Sequence, residues 1–189
     1  MVEKKILILG ANGQIGTQLK KTLYPLGKIK ACTRQEANLE NLDQLKKLIQ
    51  NYQPQIIVNA VAYTAVDQAE AEPEKAYRIN SEAVATIAQE SKKINALLVH
   101  YSTDYIFDGT QTEAYTEEDQ PNPLSIYGKS KWKGEQLIKE SGTEYLIFRT
   151  SWVYAPKGKN FVNTILKLAK ELTELNIIDD QIGAPTSAT

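Results

Sequence analysis

The 189-residue chain has few of the residue types that announce specialised chemistry: one cysteine, one histidine, one methionine and three phenylalanines. The lone Cys32 excludes a disulfide within the chain and makes a cysteine-based metal cluster implausible. Neither sign of charge is in excess, with 22 basic against 23 acidic side chains, so the net charge of -1 gives no reason to expect a nucleic-acid partner. Long apolar runs are also missing. Glu3, Lys4 and Lys5 are followed by only four apolar residues before Gly10, so neither a signal peptide nor a membrane span is visible, and a cytoplasmic protein is expected. What remains, 42% hydrophobic and 24% charged, is an ordinary globular mix of a length that suits one domain.

Short β-type runs recur at Ile6-Leu9, Ile29-Cys32, Ile56-Asn59, Leu97-Ser102, Tyr145-Arg149 and Asn176-Ile178, and most of the intervening segments read as helices. In the stretch Leu42 to Tyr52, Leu42, Leu45, Leu48 and Ile49 share one face while Gln44, Lys46 and Lys47 take the other. Glu74-Glu90 and Phe161-Leu172 show the same spacing, and Pro25-Leu26-Gly27 and Tyr52-Gln53-Pro54 close helices ahead of the next strand. The alternation predicts an α/β, Rossmann-type, doubly wound parallel sheet with helices on both faces. No repeat or low-complexity tract is present. One connection, Asp108 to Pro123, is longer and more polar than a link from strand to helix requires, and such loops at the carboxyl ends of parallel strands are often functional.

Directly after the first strand stands Gly10-Ala11-Asn12-Gly13-Gln14-Ile15-Gly16, and a helical pattern of Ile15, Leu19 and Leu23 begins there. Gly10 permits the tight turn, Gly13 lets backbone N–H groups approach a pyrophosphate, and Gly16 lets the helix pack close to the strand. Unpaired N–H groups and the positive dipole end then face the anion. Three glycines at this spacing are a weak signal alone, and the strand-turn-helix context is what gives them weight. The second strand ends in Cys32-Thr33-Arg34, with no acid to bind an adenosine ribose; this favours NADPH, with Arg34 on its phosphate or adenine, while Glu36 leaves NADH open.

Tyr127-Gly128-Lys129-Ser130-Lys131 sets a phenol and an ammonium four residues apart on one helical face. A cation beside the phenol would lower its pKa from about 10 and make Tyr127 a usable acid or base. At the end of the fourth strand, Ser102 or Thr103 can donate a hydrogen bond to the same developing oxyanion. The remaining tempting residues read as structural. His100, inside an apolar strand, is expected to be a satisfied strand histidine, and Asp67, Glu70 and Glu72 a solvated loop and helix start rather than a metal site. Asn80, Glu82 and the lysines around Lys129 read as surface or helix-lining residues.

Together with the glycine turn and Tyr127 to Lys131, the runs from Asn59 to Asp67, from His100 to Gly109 and from Phe148 to Tyr154 resemble the dTDP-4-dehydrorhamnose reductase family of extended short-chain dehydrogenases over nearly the whole chain. The resemblance implies reduction of the 4-keto group of dTDP-4-dehydro-L-rhamnose to dTDP-L-rhamnose with NADPH or NADH. By matched position it implies that Thr103 polarises the carbonyl, Tyr127 donates the proton, and Lys131 tunes Tyr127 and holds the nicotinamide ribose. Gly10, Asn12, Gly13, Gln14, Ile15 and Gly16 would form the pyrophosphate turn. Ala62, Tyr63, Thr64 and Tyr101 would contact the cofactor, and Asp104 and Trp152 the sugar. The small residues of Asn59-Ala60-Val61-Ala62 leave room for the cofactor, and an indole after the fifth strand can cover an apolar sugar face, although a core tryptophan fits equally. The implied partners are a dTDP-deoxysugar and, optionally, a second copy of the chain.

Members of the family continue into a smaller carboxyl-terminal substrate region. Residues 1–189 are therefore expected to be one NAD(P)-binding Rossmann domain carrying the catalytic residues, with that region mostly absent and an apolar face left exposed. Two other readings share these features. One is a nucleotide-sugar epimerase or dehydratase of the same extended group, although Thr103-Asp104-Tyr105 lacks a dehydratase's acidic pair. The other is a non-catalytic regulatory subunit similar to the beta subunit of methionine adenosyltransferase, against which the intact Thr103, Tyr127 and Lys131 argue.

Overall fold

The computed structural model describes residues 3–189. Five parallel strands, β1 (Lys4–Leu9), β2 (Gly27–Cys32), β3 (Ile56–Asn59), β4 (Leu97–Thr103) and β5 (Tyr145–Thr150), form one sheet in the order β2-β1-β3-β4-β5. The helices are α1 (Gln14–Thr22), α2 (Leu42–Tyr52), α3 (Val66–Ala71), α4 (Pro73–Tyr77), α5 (Ala83–Lys93), α6 (Ile126–Ser141) and α7 (Phe161–Glu171). Among the described residues no helix is long and apolar enough to cross a membrane.

The continuous apolar runs of the central strands follow from burial on both faces. Successive side chains point to opposite sides of a strand. Leu7, Leu9, Ile57 and Leu98 therefore join Leu45 and Ile49 of α2, Val84 and Ile87 of α5 and Ile138 of α6 in the larger core. Ile6, Ile8 and Val58 face the other way, towards Leu19 and Leu23 at α1. Helices thus lie on both faces, as expected, but unequally. Beyond α1 the second face keeps an apolar hollow of about 230 Å³ lined by Leu19, Leu23, Val58, Val99, Tyr101 and Phe148, among others. Leu146 and Phe148 of β5 are exposed, and so are Phe161, Val162 and Leu166 of α7, which buries no residue.

The structure corrects two expectations about elements. Asn176-Ile178 is not a strand, because it pairs with no neighbour; beyond the five strands, the chain's isolated bridge joins Tyr154 to Ser187. The single helix expected over Glu74-Glu90 is α4 and α5 joined by a π-helical segment, Arg78–Glu82. The widened turn carries Asn80, whose side chain bonds the backbone of Tyr63 and the Ser130 hydroxyl and whose carbonyl oxygen would lie 2.2 Å from a Cβ on Gly134. The wide turn lies where α6 approaches closely at Gly134, and such bulges are frequent at functional sites.

Candidate active site

Parallel pairing brings the ends of β1, β3, β4 and β5 to one edge of the sheet, with Leu9 opposite Asn59 and Asn59 opposite His100. The glycine turn leaves β1 at that edge. Gly10 adopts φ +86° and, with Ala11, donates its N–H to the Cys32 carbonyl. A Cβ on Gly16 would lie 2.1 Å from the Gly10 carbonyl oxygen, so only glycine lets α1 start this close to the strand. No side chain caps α1, which leaves its first N–H groups free for an anion, and Asn12 and Gly13 are exposed beside them. The Gln14 side chain is engaged within the protein: it accepts from Asn160 Nδ2 at 2.8 Å and donates to the Val153 carbonyl, tying the segment after β5 to the turn. Ile15 is half-buried.

Past β2, Arg34 is exposed and paired with Glu40. Glu36 turns back to accept from the Thr33 N–H and hydroxyl, and those bonds hold its carboxyl below the usual range. Past β3, Ala62 is half-buried and Thr64 exposed, while Tyr63 donates its hydroxyl to Glu72 at 2.6 Å. That bond to a carboxylate, more than burial, pushes the Tyr63 phenol up to about 12. The Tyr63 hydroxyl is thus engaged within the protein, and so are its backbone N–H and carbonyl, both bonded to the Asn80 side chain.

Tyr127 and Thr103 meet where β4 ends beside the start of α6. Ser125 caps α6 by accepting from the Gly128 N–H at 3.1 Å, and Glu70 of α3 accepts from the Ile126 N–H at 2.7 Å. A Cβ on Gly128 would be 2.2 Å from the Tyr105 carbonyl oxygen, so glycine there lets the helix end press onto the turn following Thr103. Tyr127 is consequently buried with Thr103 at its hydroxyl and Tyr105 edge-on at 5.6 Å. Burial pushes the phenol up from its ordinary value, the Thr103 hydroxyl pulls it down, and Asp104 and Tyr105 add to the rise. Thr103 Oγ1 accepts from the Tyr105 N–H and donates to Asp104 Oδ1 at 3.2 Å. Of the two hydroxyls considered, Thr103 is the one at the phenol, and the buried Ser102 Oγ has no hydrogen-bond partner.

Lys131 corrects the expected electrostatics. The structure does not draw its ammonium to Tyr127. Nζ donates to the Tyr101 carbonyl at 2.6 Å and lies 3.2 Å from His100 Nε2. Burial lowers its pKa from 10.5 to about 8, against an opposite pull from Glu135. The phenol of Tyr127 is raised rather than lowered, because desolvation is the largest influence on it. Tyr101 likewise meets the site through its carbonyl, since its ring packs on Phe148 at 5.8 Å over the far face of the sheet.

Asp104 is half-buried beside Thr103, and Trp152 stands at the same edge, exposed, at φ +45°. Its exposure removes the reading as a core tryptophan. The long loop is ordered around Asp108, which accepts from Thr110, the Tyr115 hydroxyl and Asn122; these bonds hold its carboxyl well below the usual range. Phe107 stacks on Tyr115 at 4.2 Å, and the Arg149 guanidinium lies over Phe107.

Several participants escaped sequence reasoning. Asn80 is buried and not a surface residue, bracketing Tyr63 against α6. Glu70 does not stand free but pins the first turn of the helix that carries Tyr127. Glu135 is buried and takes two hydrogen bonds from Arg149. His100 is buried and satisfied, as expected, yet its partners are Asn59 and Lys131. Only the polar residues in otherwise apolar stretches, Asn59 and His100, carried a visible signal. Among the described residues no three His, Cys, Asp or Glu side chains gather into a possible metal site.

Against this geometry, residues 4–189 match the family described as RmlD substrate binding domain. The chain is 47% identical over 184 residues to a dTDP-4-dehydrorhamnose reductase of Burkholderia thailandensis and 46% identical over 187 residues to one of Escherichia coli K12. Each match covers 97% of this chain and 62% of the relative, so the chain spans less than two thirds of their length. A crystal structure of dTDP-4-dehydrorhamnose reductase from Bacillus anthracis in complex with NADP superposes with a TM-score of 0.95 at 42% identity, covering 99% of this chain and 67% of that one.

Proposed function

Since the chain belongs to the family described as RmlD substrate binding domain, we propose that residues 1–189 form one domain, the cofactor-binding and catalytic part of an NADPH-dependent dTDP-4-dehydrorhamnose reductase. The observation that carries this reading is a buried Tyr127, its phenol pKa raised by desolvation, with the Thr103 hydroxyl at its tip, on the edge where an uncapped α1 leaves the glycine turn. The residues present suit a dinucleotide. The turn of Gly10, Asn12, Gly13, Gln14, Ile15 and Gly16 offers free N–H groups and no room for a Cβ at Gly16. Arg34 would take the 2′-phosphate by exchanging Glu40 for it, and Ala62, Tyr63 and Thr64 would line the adenosine-pyrophosphate path. When bound, the nicotinamide supplies a hydride to C4 of the sugar.

The chain's own residues perform the rest. The raised phenol of Tyr127 holds its proton at neutral pH and delivers it to the C4 oxygen as the carbonyl is reduced. Thr103, whose O–H points to Asp104 here, would turn that hydrogen to the C4 oxygen and fix its direction. Lys131, braced on the Tyr101 carbonyl, holds the nicotinamide ribose. Asp104 and Trp152 face the sugar. The dTDP-deoxysugar is the partner molecule, and a cytoplasmic setting belongs to the same reading.

The test follows NADPH oxidation with dTDP-4-dehydro-L-rhamnose, comparing this chain, a version extended to full family length, and Tyr127→Phe in the extended form. The extended form should turn over, and Tyr127→Phe should lose about 100-fold or more in kcat. Equal turnover by the Phe variant removes Tyr127 from the mechanism.

A further inference from the structure

The buried polar chain from Asn59 through His100 to Lys131 has a defined direction. Asn59 and His100 are register partners on β3 and β4, and both are fully buried. The Val61 N–H donates to Asn59 Oδ1 at 3.1 Å, which fixes the amide and leaves Nδ2 facing His100 Nδ1, also at 3.1 Å. An amide nitrogen only donates, so Nδ1 must accept, and a neutral imidazole then carries its proton on Nε2. That N–H is aimed at Lys131 Nζ, 3.2 Å away. An ammonium has no lone pair with which to receive it, whereas an amine can accept from Nε2–H while donating to the Tyr101 carbonyl at 2.6 Å.

We propose that Asn59 and His100 are positioning residues for Lys131, forming a buried relay that holds Nζ at the edge of the active site and favours its amine form. The relay explains why two polar side chains occupy the centre of an apolar sheet, where unsatisfied groups are costly. The titratable and charged groups around Nζ are His100 and Tyr101 of β4, Glu135 of α6 with its Arg149 partner on β5, and Tyr127 one helical turn before. Glu135 alone among them favours the ammonium. The low proton affinity of Lys131 and the failure of His100 to charge, both caused first by burial, agree with this arrangement. One turn from Tyr127, a lysine poised near neutral pH can exchange a proton with the site, a consequence that rests on the reductase reading.

His100 is the only histidine in the chain, so nitrogen NMR of the isotopically labelled protein reads its tautomer without ambiguity. Above the Lys131 pKa of about 8, where the amine form prevails, the expected spectrum shows a neutral ring protonated on Nε2; protonation on Nδ1 there overturns the proposal. Asn59→Asp keeps an acceptor for Val61 and presents a second one to Nδ1. The ring proton should then move to Nδ1, Nε2 should accept from Lys131, and the proton affinity of Lys131 should rise about tenfold or more by lysine side-chain NMR. A folded variant with both unchanged refutes the relay, and the wild-type spectrum decides the tautomer even where the variant does not fold. In the extended enzyme, the limb of the kcat profile set by Lys131 should move to higher pH by the same amount in Asn59→Asp. An extended enzyme without turnover defeats the reductase reading alone, since the two spectral measurements stand without it.

Discussion

Replacing Lys131 with methionine measures what it costs the fold to hold an ammonium in its interior. Lys131 is buried and its pKa falls from 10.5 to about 8, chiefly through desolvation. A depression of that size corresponds to about 3 kcal/mol at 1.36 kcal/mol per pH unit. Between pH 8 and 10.5 the unfolded chain holds a proton that the native chain has released, so stability rises with pH across that window. Below pH 8 the full cost is present, and above 10.5 it has vanished. Lys131→Met keeps the aliphatic stem and never carries the charge. Urea unfolding at pH 7 and pH 10 should therefore show the stability of Lys131→Met relative to the parent falling by about 2 to 3 kcal/mol over that interval. Tyrosines and other lysines titrate in both proteins and cancel in the comparison. A gap independent of pH would mean that Lys131 is not desolvated, and would refute the electrostatic account of the site.

Three further outcomes follow. Glu135→Gln leaves the Arg149 guanidinium without a counter-charge beneath the sheet edge, which should cost about 3 kcal/mol in urea unfolding and lower the Lys131 pKa further, because Glu135 raises it. Gly16→Ala drives a Cβ to 2.1 Å from the Gly10 carbonyl oxygen, so the turn must shift; a loss of about 1 to 3 kcal/mol in stability and a clear loss of NADPH affinity by fluorescence titration are expected. Asp108 has a lowered pKa, so its contribution to loop order is complete at neutral pH and is lost as pH falls below the usual carboxylate range. Asp108→Ala should therefore make residues 108–123 a site of limited proteolysis at neutral pH, and a loop as resistant as the parent's would contradict the network seen around that carboxylate.

The sequence by itself determined the elements whose pattern is local. Ile6-Leu9, Ile56-Asn59 and Leu97-Ser102 are strands because apolar side chains fill both faces, and Leu42 to Tyr52 is a helix because its leucines recur along one side. The glycine turn was legible because its spacing follows a strand and opens a helix, and Gly10 and Gly16 stand where the structure leaves no room for a Cβ. Tyr127 and Lys131 could be named from residue type and spacing, and Thr103 as one of two candidate hydroxyls. Tertiary structure alone decided how they are wired. Four-residue spacing puts Tyr127 and Lys131 on one face of α6, but it does not say that the lysine turns inward to Tyr101 and His100, or that burial raises the phenol. Nor does it reveal that Asn80 reaches across a π-helical turn to Tyr63, that Glu70 pins α6, or that Asn176-Ile178 pairs with no strand. Proton affinities, caps supplied from distant helices and the pairing of edge strands depend on contacts between residues far apart in the chain, so periodicity, a property of neighbours in sequence, carries no record of them.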